Sequence, residues 1–340
     1  MRGCVSLLEA KRKSKSFAIC LSLLLVLSTF LSACSSKNDD DEQSKTTTKE
    51  IIRIGYQKNG PLIILKNLGT LEKRLEPLNY SVEWFEFQAG PALLEALNTG
   101  SIDFGRTGDS PPIFAQASGS TMKYAAVGKS KYKGSGILVK NDSPIKTLAD
   151  LKGKTIGFAK GSSSHYLLVK ALEKAGLEYD DIKPAFLSPG DARVAFEQGD
   201  IEAWVVWDPF TADTETTANA RLLVDGEGLT TDRDFFLASS EFTKNSDIIK
   251  VVIEEIKLSS TWANEHPEEL TTMLSSVLGI DETSMKLAVE RRVYGVDEID
   301  AEIIKEQQEI ADTFYELKII PKEINVEDSV FTFDKKDDGS

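Results

Sequence analysis

The chain has 340 residues, with 54 Asp and Glu against 40 Lys and Arg, a net charge of −14 and only two histidines. A surface this acidic repels phosphate backbones, which excludes nucleic acid as a partner. His165 and His266, together with Cys4, Cys20 and Cys34, offer little for a metal site or a His-based catalyst, so no cofactor and no metal are expected.

The first fifty residues read as an address. Arg2, Lys11, Arg12, Lys13 and Lys15 precede a leucine-rich run over 17–31 that ends in Leu31-Ser32-Ala33-Cys34. Charge, then an apolar run, then small residues is the order of an export signal, and the run is shorter than the roughly 20 residues of a membrane span. The Leu-Ser-Ala-Cys end resembles the bacterial lipoprotein signal, which implies removal of 1–33 and a lipid on Cys34. The mature chain then keeps Cys34 alone, capped by lipid, and forms no internal disulfide. Acyl chains would hold it at the membrane by this anchor only, on the extracytoplasmic face of a Gram-positive cell, with the rest soluble. Residues 34–50 are polar, with Asp39-Asp40-Asp41-Glu42 and Thr46-Thr47-Thr48, and read as a tether, as 334–340 read as a loose tail. Without the leader the charge is near −18.

An internal repeat organises the remaining chain. Arg53-Ile54-Gly55-Tyr56-Gln57-Lys58-Asn59-Gly60 matches Thr155-Ile156-Gly157-Phe158-Ala159-Lys160-Gly161-Ser162, each a strand leading into a helix. Pro91-Ala92-Leu93-Leu94-Glu95-Ala96-Leu97-Asn98-Thr99-Gly100, followed by the strand Ser101-Ile102-Asp103-Phe104, matches 190–205 in the same way. Both pairs are offset by about one hundred residues, as a duplicated lobe requires. Leu168, Ala171, Leu172 and Ala175 form a helical stripe that Gly176 stops. Alternating strands and helices argue for an α/β protein of two lobes, each built on a parallel sheet, with a hinge and a cleft between them. The expected first lobe covers 51–138 plus 238–333, the second 139–237. From Asp247 onward the chain is mostly helical, with helices over 248–256 and 303–317.

Ligands of such sheets bind beyond the carboxyl ends of the strands, where helix N-termini present free N–H groups. Those groups suit an oxyanion without formal charge. Four helix starts qualify: Gly60-Pro61 after Gln57 and Lys58, Gly90-Pro91, Gly108-Asp109-Ser110-Pro111, and Gly161-Ser162-Ser163-Ser164-His165. The last concentrates hydroxyls in one turn, as either a ligand cradle or ordinary serine capping. His165 reads equally as ligand contact or surface residue. Asp109 and Asp191 are helix-start residues that could also face a ligand amine. Trp207, at a strand end before Asp208-Pro209, can pack an apolar ligand part. In an acidic protein, attraction for an anion is expected from such uncharged donors. There is no Gly-x-Ser-x-Gly elbow, no Gly-x-x-x-x-Gly-Lys-Ser/Thr phosphate-binding loop and no His-Glu-x-x-His pattern, and His165 has no evident catalytic partner, so the chain is expected not to be an enzyme.

At these same residues the sequence resembles the aliphatic sulfonate-binding proteins of ABC importers. The matching stretches are Ile54-Gly55-Tyr56-Gln57-Lys58, Gly90-Pro91-Ala92-Leu93-Leu94, Thr107-Gly108-Asp109-Ser110-Pro111-Pro112, Ser143-Pro144-Ile145-Lys146-Thr147-Leu148 and Trp204-Val205-Val206-Trp207-Asp208-Pro209. The resemblance implies a hinge-closing pair of lobes of the periplasmic-binding-protein type. It also implies a monomeric receptor for a small organic anion, an alkanesulfonate, delivered to an ABC permease with a cytoplasmic ATPase. Relatives of the same architecture take taurine, nitrate or pyrimidine precursors, which stand as the alternative ligands. Arg106, Asp109 and Gly161-Ser162-Ser163-Ser164 depart from the commoner family pattern.

Overall fold

The computed structural model describes residues 49–333 apart from Asn59. The expected signal, Cys34 and the tail 334–340 lie outside the described residues. Of the expected tether, Lys49 and Glu50 are described, and Glu50 already belongs to a strand, its N–H donating to the Asn79 carbonyl at 2.9 Å. Among the described residues no helix is long and apolar enough to cross a membrane.

The first lobe opens with β1 (Glu50–Tyr56), α1 (Pro61–Leu68), α2 (Thr70–Leu75), β2 (Tyr80–Glu86), α3 (Gly90–Asn98), β3 (Phe104–Gly108), α4 (Ser110–Ala117) and β4 (Lys123–Ser130). The chain then crosses over and builds β5 (Ser135–Lys140), β6 (Thr155–Phe158), α5 (Ser163–Lys174), β7 (Lys183–Phe186), α6 (Pro189–Gln198), β8 (Ala203–Trp207), α7 (Phe210–Thr217) and β9 (Ala220–Asp225). It returns through β10 (Arg233–Ala238) to α8 (Ser246–Glu265), α9 (Pro267–Leu278), α10 (Glu282–Glu290), β11 (Val296–Asp297) and α11 (Ala301–Glu316).

The two sheets have the orders β11-β4-β10-β3-β1-β2 and β7-β6-β8-β5-β9. They are mixed, not parallel throughout. In each, three strands joined by helical crossovers run parallel, whereas the strand next to β3 or β8 is antiparallel. That antiparallel neighbour, β10 in one sheet and β5 in the other, is the strand arriving from the opposite lobe. Sheet membership therefore changes at 131–134 and 226–232, ahead of Val139 and Leu237. Both of those residues are paired in mid-strand, Val139 with Arg221 and Leu237 with Gly105. The turn that follows β5, at 141–144, lies inside the second lobe.

The repeat is visible residue by residue. Gly55 of β1 pairs with Gly105, and Gly157 of β6 occupies the same place opposite Trp204. A Cβ on Gly55 would overlap the Ile102 side chain, and one on Gly157 would overlap Ile201. Each glycine thus makes room for the isoleucine that enters the third parallel strand, which is why the Ile-Gly-aromatic pattern recurs.

Each sheet is covered on both faces. In the first lobe Ile52, Ile54 and the apolar side of α1 pack with Ile249, Val252 and Ile256 of α8, and on the other face Leu93, Ile113 and Tyr124 pack with Ile310 and Phe314 of α11. In the second lobe β8 is apolar at every position because it is buried on both faces. Ala203 and Val205 join the α5 side while Trp204 and Val206 join Phe196 of α6.

Two seams join the lobes beside the cleft. One is aromatic: Phe114 of α4 and Phe314 of α11 meet His165 and Tyr166 of α5, with ring centroids 5.0–6.1 Å apart. The other is mixed: Arg291, just past α10, pairs with Glu215 of α7 at 2.7 Å, Thr216 shares a hydrogen bond with Ser284, and Ala212 of α7 packs in one apolar cluster with Met285 and Ala288.

Trp204 is 1 % exposed, so Trp204→Ala should cost about 3–5 kcal/mol of stability in chemical denaturation. His165 gives a pH signature. Burial first, and the charge of Lys160 second, lower its pKa to about 3, below the ordinary 6.5. Between those values the unfolded chain binds a proton that the folded chain refuses. Stability should therefore fall as pH drops through that window, by at most about 1.4 kcal/mol per pH unit from this residue. His165→Phe should flatten that part of a urea-midpoint profile against pH.

Candidate functional site

The cleft is built from helix beginnings. The starts of α1, α3, α4 and α5 carry no side-chain cap, and Pro occupies the first turn of α1, α3 and α4. At α5 the would-be cap, Ser162, instead donates its hydroxyl to the Ala159 carbonyl at 2.7 Å. It makes no capping bond to the helix, and while the His165 N–H donates to the Ser162 carbonyl at 2.9 Å, the N–H groups of Ser163 and Ser164 are left for another acceptor.

These starts converge on two adjoining chambers between the lobes. The first has a volume of about 300 Å³ including its mouth. Gln57, Gly90, Gly108 and Pro111 border it from the first lobe, Ser162, Ser163 and Trp207 from the second, and Arg106 and Lys131 complete the wall. Gly108 and Ser163 face each other so closely that a Cβ at 108 would overlap the Ser163 hydroxyl. Glycine at the end of β3 is thus what allows the lobes to approach.

The second chamber, about 450 Å³ including its open mouth, lies on the other side of Lys131 and Trp207. Its walls are mostly apolar: Leu274 of α9, Met285, Ala288 and Val289 of α10, Pro209 and the Trp207 ring. Lys58, Asp208 and Arg292 are charged members of the same wall.

A buried ion network underlies both chambers. Asp234 accepts from Arg106 and from Arg292, while Asp232 accepts from Lys131 and from the Ser135 hydroxyl. Lys131 is also 3.7 Å from Asp234, and Arg106 donates to the Gln57 side-chain oxygen at 3.3 Å. Burial pushes the Asp234 carboxyl up, but Arg106, Arg292 and Lys131 outweigh it and hold the group at about 2. Asp109, buried under the first chamber, is pushed up to about 6 by burial and then by Asp232. Burial also raises Asp208 to about 7, against the pull of Arg291.

Most of the residues singled out in the sequence meet here: Gln57, Gly90, Gly108, Ser162, Ser163 and Trp207 at the first chamber, Lys58, Trp207 and Asp208 at the second. The others do not. Pro91 lies in the first turn of α3, behind Gly90. Asp109 turns below the chamber floor, where it accepts from Ser110 at 2.9 Å. Ser164 is fully buried inside α5. His165 sits in the aromatic seam, bonded to the Tyr179 hydroxyl at 3.0 Å, because the helical turn carries its ring away from the cleft. Asp191 is exposed and engaged with Ser188 at the start of α6.

The expectation of purely uncharged donors is corrected as well. Arg106 and Lys131 line the first chamber, each matched by an aspartate, so cationic donors are present with little net charge. Lys131, Asp232, Asp234 and Arg292 carried no sequence signal, since three of them belong to or adjoin the crossovers and Arg292 follows a distant helix. Arg106 did carry one: it is a lone charge within an otherwise uncharged strand, β3.

Known proteins share the sequence and the fold. Residues 82–270 match the family described as NMT1/THI5 like. The protein of Escherichia coli named as an aliphatic sulfonates-binding protein is 39% identical over 91% of this chain and 93% of its own length. Its namesake in Bacillus subtilis is 34% identical over 84% of this chain and 87% of its own. The structure of the alkanesulfonate-binding protein SsuA from Xanthomonas axonopodis pv. citri bound to MOPS superposes with a TM-score of 0.80 at 39% identity, covering 83% of this chain and 98% of that one. A two-lobed α/β fold, a cleft lined by helix starts and these likenesses along nearly the whole chain have one reading: the protein belongs to the NMT1/THI5-like family, among the aliphatic sulfonate-binding proteins.

Proposed function

We propose that this protein is an extracytoplasmic receptor that captures an alkanesulfonate in the first chamber and delivers it to an ABC permease driven by a cytoplasmic ATPase. The observation that carries the reading is the uncapped start of α5, with Ser162 and Ser163, facing Gly90, Gly108, Arg106 and Lys131 across the lobes. A sulfonate is a permanent monoanion with three acceptor oxygens, so it uses N–H, hydroxyl and cationic donors at any physiological pH. Because Arg106 and Lys131 are already matched by Asp234 and Asp232, the chamber has no large positive excess for a dianion such as sulfate. Trp207 offers the alkyl part an apolar surface. The names of the relatives support the same ligand class.

The receptor acts as a monomer tethered through lipid on Cys34, which keeps it at the membrane while both lobes remain free to close. It changes nothing covalently, and the ligand should be recovered intact.

Calorimetric titration tests the reading. Ethanesulfonate and butanesulfonate should bind more tightly than sulfate, nitrate or taurine; nitrate or taurine ahead of ethanesulfonate would transfer the protein to the alternative ligands. Gly108→Val should weaken the sulfonate at least about tenfold, since its side chain keeps the lobes apart, and should leave the far-ultraviolet circular dichroism unchanged.

A further inference from the structure

The second chamber poses a separate chemical question. Most of its wall is apolar, yet two buried polar atoms at its border lack hydrogen-bond partners: Oδ2 of Asp208 and Nε of Arg292. Other atoms of each group are engaged. Asp208 accepts from the Ala212 N–H through Oδ1 at 2.9 Å, and Arg291 stands 3.6 Å from that same oxygen. Arg292 donates to Asp234 while its guanidinium lies 5.0 Å over the Tyr294 ring. A buried carboxylate oxygen and a buried N–H without partners are costly, and a site that leaves them so discriminates in favour of a guest able to satisfy them.

We propose that this chamber is a tail site, with Asp208 as its specificity-determining residue, and that it selects sulfonates whose tail carries a hydrogen-bond donor at its far end. The inference rests on the sulfonate reading above and names the ligand more closely. The sulfonate stays at the start of α5, the alkyl chain passes Trp207 and Lys131, and the tail lies along Met285, Ala288 and Val289. A terminal hydroxyl can donate to Asp208 and accept from Arg292. A terminal ammonium can only donate, and it meets the positive charge of Lys58 as well. A two-carbon amine such as taurine gains nothing, because its nitrogen remains beside Arg106 and Lys131 in the first chamber. Burial already lifts the Asp208 carboxyl to about 7, as expected of a group whose lost hydration Arg291 and the Ala212 N–H only partly replace.

The test is a competition titration of whole protein with sulfonates of three to six carbons, each unsubstituted, ω-hydroxylated and ω-aminated. At the best chain length a donor-bearing tail should bind about tenfold more tightly than the plain chain, and the two substituted arms identify which donor is preferred. Asp208→Asn, which keeps an acceptor for Ala212, should bring that ratio close to one. Ala288→Phe, which fills the chamber from the opposite wall, should shift the length profile towards short chains and keeps the proposal falsifiable if the first variant does not fold. A ratio near one in the unaltered protein, or a ratio untouched by Asp208→Asn, overturns the proposal. Failure of every sulfonate to bind would instead overturn the proposed function.

Discussion

The molecule turns on a small set of charges buried where the chain changes lobes. Lys131 lies in the first crossover, Asp232 ends the second, Asp234 begins the returning strand β10, Arg106 stands in β3 and Arg292 follows α10. Isolated in the interior, any of these would cost several kcal/mol; paired as they are, each fixes the position of the others. The Lys131–Asp232 pair, with Ser135, ties one crossover to the other. The pairs to Asp234 tie that bundle to the first lobe. One network therefore joins the two crossovers to the first lobe and borders both chambers. A change to any of these charges would disturb the crossovers and the chamber walls together.

Duplication explains why so few residues suffice. Both lobes use the same parallel trio of strands with a glycine against an isoleucine at its centre, and both present helix starts at the same end of the sheet. When two such units face each other, their helix starts face each other too. The cleft is then polar at its centre without needing excess charge, which fits a protein whose outer surface is strongly acidic.

Periodic and local features were legible in the sequence. The Ile-Gly-aromatic repeat, the all-apolar β8 and the glycine- and proline-marked starts of α1, α3 and α4 each follow from backbone geometry or from burial on both faces, so the chain states them within a few residues. Features that depend on distant partners were not. Asp232 and Asp234 look like ordinary loop carboxylates until Lys131, Arg106 and Arg292 are brought against them. Met285 and Ala288 look like a routine amphipathic stripe until α10 is laid over Trp207. His165 went the other way: its place beside three serines suggested a ligand contact, but one helical turn sends its ring into Phe114, Phe158 and Phe314. The strand order was half legible, because helical crossovers announce parallel pairs while nothing local announces that β5 and β10 run the other way.

The two seams differ in what the surrounding solution does to them. Parting α5 from α4 and α11 would wet a cluster of aromatic rings, an outcome that solvent opposes. Parting α7 from α10 would break the Arg291–Glu215 pair and the Thr216–Ser284 contact and would also wet Ala212, which packs with Met285 and Ala288. Dissolved salt weakens only the charged share of the second seam and leaves the apolar packing of both seams intact, so the two edges of the cleft differ in their response to ionic strength more than in their response to water.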